Sequence, residues 1–85
     1  MSVESAVDDT DAPDGTRTRL DVRELPPPEP LAETLERVEE MDPGTVLVQL
    51  NDRAPQHLYP KLIDRGYEYE TVETADAVVT AIWER

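Results

Sequence analysis

The sequence predicts an α/β fold: a two-layer α/β sandwich of order β-α-β-α-β-β, with two helices on one face of a four-stranded mixed sheet. Four segments have the alternating or β-rich character of strands, and two segments between them have apolar residues at helical spacing. Proline and glycine separate these segments, most clearly at residues 25–30 and 42–44. A chain of 85 residues is expected to form one small domain, because domains typically run to about 100–150 residues.

The first strand and the first helix are predicted on either side of a proline cluster. Residues 17–23 alternate apolar with charged side chains, which is the period of a half-buried strand. Residues 25–30 read Leu-Pro-Pro-Pro-Glu-Pro and fit neither strand nor mid-helix, because proline lacks an N–H donor. Proline is favoured in a first helical turn, so a helix begins at Pro28 or Pro30 and runs to about residue 41.

The second half of the chain predicts a buried strand, a helix and a hairpin. Residues 45–50 have Val46, Val48 and Leu50 on one side and Leu47 on the other, which indicates a central strand that is buried on both faces and parallel to the first strand. A helix is predicted at residues 55–65, with a distorted or late start because Pro60 lies inside it. Residues 67–72 alternate and residues 77–83 are a second β-rich run, and the two are predicted to form an antiparallel hairpin.

The N-terminal segment is predicted to be a tail outside the domain. Residues 1–16 contain five acidic side chains and no basic one. Few large apolar side chains are present to offset the entropy of ordering, so we interpret this segment as a disordered acidic tail. The folded domain is then residues 17–85.

The net charge indicates what the protein does not bind by bulk attraction. Twenty acidic against eight basic residues give −12, which argues against nucleic acid and anionic membranes as partners. RNA binding remains an alternative that requires a basic face. The acid excess, with Lys61 as the single lysine, favours a protein adapted to concentrated salt; an acidic domain of an organism living at ordinary salt is the other interpretation.

Cysteine is absent, which removes disulfides, thiolate metal sites and thiol chemistry from consideration. No apolar run reaches the ~18 residues that span a bilayer, and no signal core is visible. We therefore expect a soluble, cytoplasmic protein without membrane contact.

No arrangement of residues predicts catalysis, a metal or a cofactor. His57 is the only histidine, whereas a catalytic zinc site usually takes three protein ligands. The acidic residues of the first helix have the spacing of a solvated face, and the sequence contains no phosphate-binding glycine motif. We expect a protein that is not an enzyme and that uses neither cofactor nor metal.

Residues 20–31 resemble the opening signature of the TusA/SirA-like sulfur-carrier superfamily, L-D-x-x-G-L-x-C-P-x-P. The matching positions are Leu20, Asp21, Leu25, Pro28 and Pro30. With the later Pro-Gly and Asn-Asp pairs in order, the resemblance covers residues 18–85. It implies the same β-α-β-α-β-β sandwich that the periodicity predicts.

The departures from that signature are as informative as the matches. The carrier cysteine of the superfamily falls on Pro27 and its glycine falls on Glu24. Proline has no nucleophile, so a persulfide cannot be carried at this position. The chain looks like a member of a cysteine-free branch of unknown function, in a salt-adapted archaeon. That branch often has N-D-H-D-P after its second strand, and its histidine falls on Arg53.

The predicted contact surface combines the proline loop with the loop after the second strand. We expect a helix N-terminus there, with arginines that converge on a protein partner or a small anion. The candidate residues are Arg23, Pro26, Pro27, Pro28, Glu29, Asp52, Arg53 and His57. The sequence thus predicts a non-enzymatic TusA-like binding or adaptor module. The alternative is an accessory factor in sulfur or metal-cofactor metabolism that binds a sulfurtransferase partner or a small anion. The oligomeric state is not predicted.

Overall fold

The computed structural model describes residues 2–85, in which three helices and one four-stranded sheet are found. The elements in chain order are α1 (Val3–Asp8), β1 (Arg17–Asp21), α2 (Glu29–Glu40), β2 (Val46–Asn51), α3 (Leu58–Asp64), β3 (Tyr67–Glu73) and β4 (Val78–Glu84). The strand order is β1-β2-β4-β3. β1 and β2 are parallel, and β4 is antiparallel to both β2 and β3. The predicted α/β class and mixed four-stranded sheet are confirmed.

The late start of the second predicted helix, which is α3 in the structure, is also confirmed. α3 begins at Leu58, three residues after the first residue of the predicted range. Pro60 is then the third residue of the helix, where its missing N–H costs no intrahelical hydrogen bond. The helix ends before Gly66, whose φ of 85° lies in the left-handed region that glycine adopts readily. β1 is shorter than the predicted strand at residues 17–23, since it ends at Asp21.

β2 is the centre of the domain, and every one of its residues is buried. Its side chains alternate between two apolar clusters on opposite sides of the sheet. The first cluster lies between the sheet and the helices α2 and α3, and it contains Leu20, Val22, Val38, Leu47, Leu58, Leu62 and Ile82. The second contains Ala6, Val7, Val46, Val48, Leu50, Ala77, Val79, Ala81 and Trp83. Both faces of the sheet therefore contribute to the core.

The N-terminal segment differs from its prediction. Residues 1–16 were expected to form a disordered tail, yet the structure has α1 within them, and Ala6 and Val7 are fully buried. The physical reason is the second sheet face, which the two predicted helices do not cover. α1 packs on β3 and β4 across that face. The molecule therefore has a short third layer that the two-layer prediction lacks.

The helices are all short. α2 is the longest helix among residues 2–85, with 12 residues. Within that part of the chain, no helix has the length and apolar character needed to cross a membrane.

Candidate functional site

A groove of about 570 Å³ lies where the loop before α2 faces the loop before α3. Both loops follow the carboxyl ends of parallel strands, β1 and β2, which meet at one edge of the sheet. One wall is formed by Leu25, Pro27, Pro28, Pro30 and Leu31. The other wall is formed by Arg53, Ala54, Pro55, Gln56, His57 and Leu58. The groove is thus mostly apolar, with a few polar groups, which is the usual character of a ligand site.

The proline wall is held by turns of the backbone. The Leu25 amide donates to the Val22 carbonyl at 3.2 Å, and the Glu29 amide donates to the Pro26 carbonyl at 3.0 Å. Pro28 is the N-cap residue of α2, and no side chain caps the helix there. The Pro27–Pro28 peptide bond is cis. The N-terminus of α2 consequently borders the groove directly.

The opposite wall is organised by Asn51 at the end of β2. The Asn51 Oδ1 atom accepts a hydrogen bond from the Asp52 amide at 2.8 Å, which turns the chain away from the sheet. The Leu58 amide then donates to the Pro55 carbonyl at 3.0 Å, at the point where α3 begins. Pro55 and these two hydrogen bonds therefore shape this loop, which contains no glycine.

Two buried amide side chains form the floor of the groove. Gln49 is fully buried and Asn51 is 6 % exposed, and both line the groove. The Gln49 Nε2 atom donates to Thr34 Oγ1 at 2.7 Å, and Asn51 Nδ2 donates to Gln49 Oε1 at 3.5 Å. The second bond is long, at the outer limit for a hydrogen bond. The Asn51 amide is consequently the floor group best placed to exchange its partner for a ligand atom.

The predicted site residues fall into three groups. Those that line the groove are Pro27, Pro28, Asp52, Arg53 and His57. Pro26 and Glu29 are exposed and lie outside the lining. Arg23 also lies outside it, so the expected convergence of Arg23 with Arg53 and His57 is absent. Its guanidinium binds the Asp21 carboxylate, at 3.0 Å and 2.7 Å, and reaches the Asp76 carbonyl at 3.5 Å.

The electrostatics separate Arg23 further from the groove. The hydrogen bonds from Arg23 hold the pKa of the Asp21 carboxyl below its ordinary value, and the same contact raises the pKa of the guanidinium. Arg53 is less engaged: its side chain is 79 % exposed and meets Asp52 at 3.4 Å. A ligand can therefore bind the Arg53 guanidinium while breaking only this long contact with Asp52.

The groove residues that the sequence did not single out include the floor amides and the leucines. Gln49 had a visible signal, because a glutamine in the middle of an aliphatic central strand is a buried polar group that needs partners. The leucines had none, since their spacing is that of ordinary core residues.

The lining contains few titratable side chains. Its side chains with titratable groups are Asp52, Arg53 and His57, all exposed. No serine, cysteine, lysine or tyrosine is among the lining residues. Across residues 2–85, no cluster of three His, Cys, Asp or Glu side chains is arranged to hold a metal ion. The groove therefore provides apolar contact, amide hydrogen bonds and one exposed guanidinium.

Comparison with known proteins gives one match. Residues 19–84 match a family described as "Uncharacterized conserved protein (DUF2249)". Neither the curated proteins nor the solved structures contain a match. The matched range includes the whole groove and all but the first two residues of the sheet, whereas it leaves α1 out. The family description says nothing of sulfur carriers or of the organism.

Proposed function

The chain belongs to this family of uncharacterized conserved proteins, and from that premise we propose that it is a non-enzymatic binding module. Its groove takes an extended segment of a protein partner. The observation that carries the proposal is the groove itself, which has apolar walls and a floor of two buried amides.

The shape and chemistry of the groove suit a peptide segment. Proline and leucine side chains on the walls provide apolar contact for one or two partner side chains. The Asn51 amide has both a donor and an acceptor, as does a peptide backbone, so it can pair with a main-chain group of the partner. Rigid prolines lose little conformational freedom on binding, which favours affinity.

The resemblance to sulfur carriers enters the proposal at one residue. Pro27, where the carrier superfamily has its cysteine, is a wall residue of the groove. We infer that the module keeps the contact surface of a TusA/SirA-like carrier and presents it without the reactive atom. The acidic, lysine-poor composition supports a cytoplasmic setting with concentrated salt.

The second candidate function is an accessory factor in sulfur or metal-cofactor metabolism that binds a sulfurtransferase partner or a small anion. It is favoured by the N-terminus of α2, which borders the groove on the wall opposite Arg53. A helix N-terminus carries a partial positive charge, and a guanidinium pairs well with carboxylate or sulfate. In this second function, recognition of a negatively charged group contributes more to binding than apolar contact does.

A photocrosslinking experiment tests the first function. A photoreactive amino acid at position 57, which is exposed at the groove, is introduced into the full-length chain and irradiated in cells. Arg53→Glu is expected to reduce the crosslinked product severalfold, whereas Arg65→Glu, with the same charge change at α3's C-cap position, leaves it unchanged. The purified partner must then shift the backbone amide resonances of residues 51–58.

Titration with sulfate, phosphate and acetate separates the second function from the first. Shifts of the Leu31 and Arg53 amide resonances that saturate at millimolar anion, and that Arg53→Glu abolishes, favour the anion site. The peptide-binding proposal fails if the crosslinked protein binds the Arg53→Glu variant as well as it binds the parent. It also fails if the resonance shifts lie on the β3–β4 hairpin.

A further inference from the structure

The sheet face opposite the groove carries an apolar surface. Its residues come from β2 and β4 and are Val46, Val48, Leu50, Val79, Ala81 and Trp83. α2 and α3 pack on the other face, so within the family match at residues 19–84 no helix covers this one. A contiguous apolar sheet face requires a cover, because such a face is otherwise an interaction site.

α1 is the cover in this chain, and it fits the face through a short and simple pattern. Val3, Ala6 and Val7, at positions i, i+3 and i+4, pack into the apolar cluster. Its acidic side chains reach β1: Glu4 Oε1 lies 2.5 Å from the Arg19 guanidinium, and Asp8 Oδ1 lies 2.7 Å from that of Arg17. The face therefore recognises an acidic amphipathic helix.

α1 is held mainly by its apolar side chains, of which Ala6 and Val7 are fully buried. A six-residue helix is far below the length of about 12–15 residues at which isolated helices become even marginally stable. Both ion pairs are exposed, with the carboxylate side chains more than 60 % accessible, so they add a modest and salt-dependent contribution to the binding of α1. The connection from α1 to β1 runs close to the domain, because a Cβ at Gly15 would clash with the Gly44 carbonyl oxygen. The packing side chains and the two ion pairs of α1 are therefore contacts that another helix of the same pattern can make.

We propose that this face is a docking surface for a short acidic amphipathic helix of a partner protein, and that the partner's helix replaces α1. The partner helix has small or β-branched apolar residues at i, i+3 and i+4 and carboxylates at i+1 and i+5. Charge complementarity with Arg17 and Arg19 selects it. Because a short tether keeps α1 at an effective concentration on the order of millimolar, the partner must bind more tightly than α1 does.

Trp83 reports the state of this face. It is the single tryptophan of the chain, it is 8 % exposed, and it belongs to the cluster that α1 covers. In the full-length chain, Val7→Asp is expected to raise acrylamide quenching of Trp83 fluorescence severalfold. Ser5→Asp adds the same side chain on the exposed side of the same helix, and quenching is expected to stay at the parent value.

A peptide of residues 2–12 then tests docking in trans. Added to the Val7→Asp protein, it is expected to restore the parent level of Trp83 protection, whereas the same peptide carrying Val7→Asp does not. A peptide with Glu4→Lys and Asp8→Lys is expected to bind several times more weakly at low salt. The unmodified peptide is also added in excess to the isotope-labelled parent protein. It is expected to displace α1, so that the α1 resonances move to the positions that they have in the Val7→Asp protein.

Several outcomes overturn the proposal. One is a Val7→Asp protein with an intact sheet, by far-UV circular dichroism, whose Trp83 stays protected or whose face does not bind the peptide. Another is dimerisation of that variant, which would show that a second copy and not a partner helix closes the face. If Val7→Asp unfolds the domain, the double variant Arg17→Glu with Arg19→Glu replaces it, because this variant repels the acidic side chains of α1 but keeps the apolar contacts. Acrylamide quenching of Trp83 that stays at the parent value in the double variant at low salt also contradicts the proposal.

Discussion

Gln49 and Thr34 join the centre of the sheet to the first helix of the groove. The Gln49 Nε2 atom donates to Thr34 Oγ1 at 2.7 Å, and Thr34 Oγ1 donates in turn to the Pro30 carbonyl at 2.7 Å. Both side chains are fully buried. This chain of hydrogen bonds fixes the proline wall of the groove relative to its floor, because Pro30 is a wall residue and Gln49 a floor residue.

Thr34→Val is expected to lower the free energy of unfolding by about 1–3 kcal/mol, since it leaves the Gln49 amide buried without its partner. Thr34→Ser keeps the hydroxyl and is expected to cost about 1 kcal/mol or less, for one lost methyl group. Urea denaturation of the two variants measures the difference. Equal stabilities would show that the hydrogen bond to Gln49 contributes nothing.

Leu62 and Ile63 are adjacent aliphatic residues of α3 with opposite environments. Leu62 is fully buried, whereas Ile63 is 48 % exposed. Leu62→Ala is expected to destabilise the domain by about 2–5 kcal/mol through lost burial and a cavity. Ile63→Ala is expected to change the stability by no more than about 0.5 kcal/mol. Thermal and urea unfolding measure both changes in stability. A large loss of stability in Ile63→Ala would show that α3 is rotated about its axis so that Ile63, and not Leu62, faces the core.

The sheet was predictable because its signals are local. The aliphatic run of β2 predicted burial on both faces, and all of its residues are buried. That same observation calls for a cover on each face. α1 was nonetheless missed, because a stripe of Val3, Ala6 and Val7 in an acidic segment is too short to outweigh the composition.

The candidate site was predictable in part for the same reason. The proline cluster and the Asn-Asp pair are loop signals that follow parallel strands, so their loops had to meet at one edge. The place of Arg23 was not predictable from spacing, because Asp21, two residues earlier, binds its guanidinium. Gln49 was missed because strand periodicity alone does not distinguish a core residue from a groove floor.

The acid excess predicts a dependence of stability on salt. The net charge is −12, and self-repulsion of this size is screened by salt because the Debye length falls to about 3 Å at 1 M. The melting temperature is expected to rise between low and molar KCl. Neutralising three exposed acids of α2, with Glu33→Gln, Glu36→Gln and Glu40→Gln, is expected to reduce that rise. A melting temperature that falls with KCl would show that the surface ion pairs outweigh the repulsion.

Acid is expected to release α1 before it unfolds the domain. The hydrogen bond from Arg19 holds the pKa of Glu4 below its ordinary value of 4.5, and the charges of Arg19 and Arg17 on β1 lower it further. A carboxyl group whose pKa is lowered on folding stabilises the folded state above its ordinary pKa, and this contribution is lost as pH falls through the lowered value. Docking of α1 therefore weakens below about pH 4.5.

Acrylamide quenching of Trp83 between pH 7 and pH 3 measures this release, with far-UV circular dichroism as the check on the sheet. Quenching in the parent is expected to rise in acid. Glu4→Gln lacks the charge at every pH, so its quenching is expected to be higher at pH 7 and to change less on acidification. Asp21→Asn is the matched control, because the Asp21 pKa is also lowered, by Arg23, at the end of β1 distant in sequence from α1. Identical pH profiles in the parent and in Glu4→Gln would show that the Arg19 contact does not hold α1.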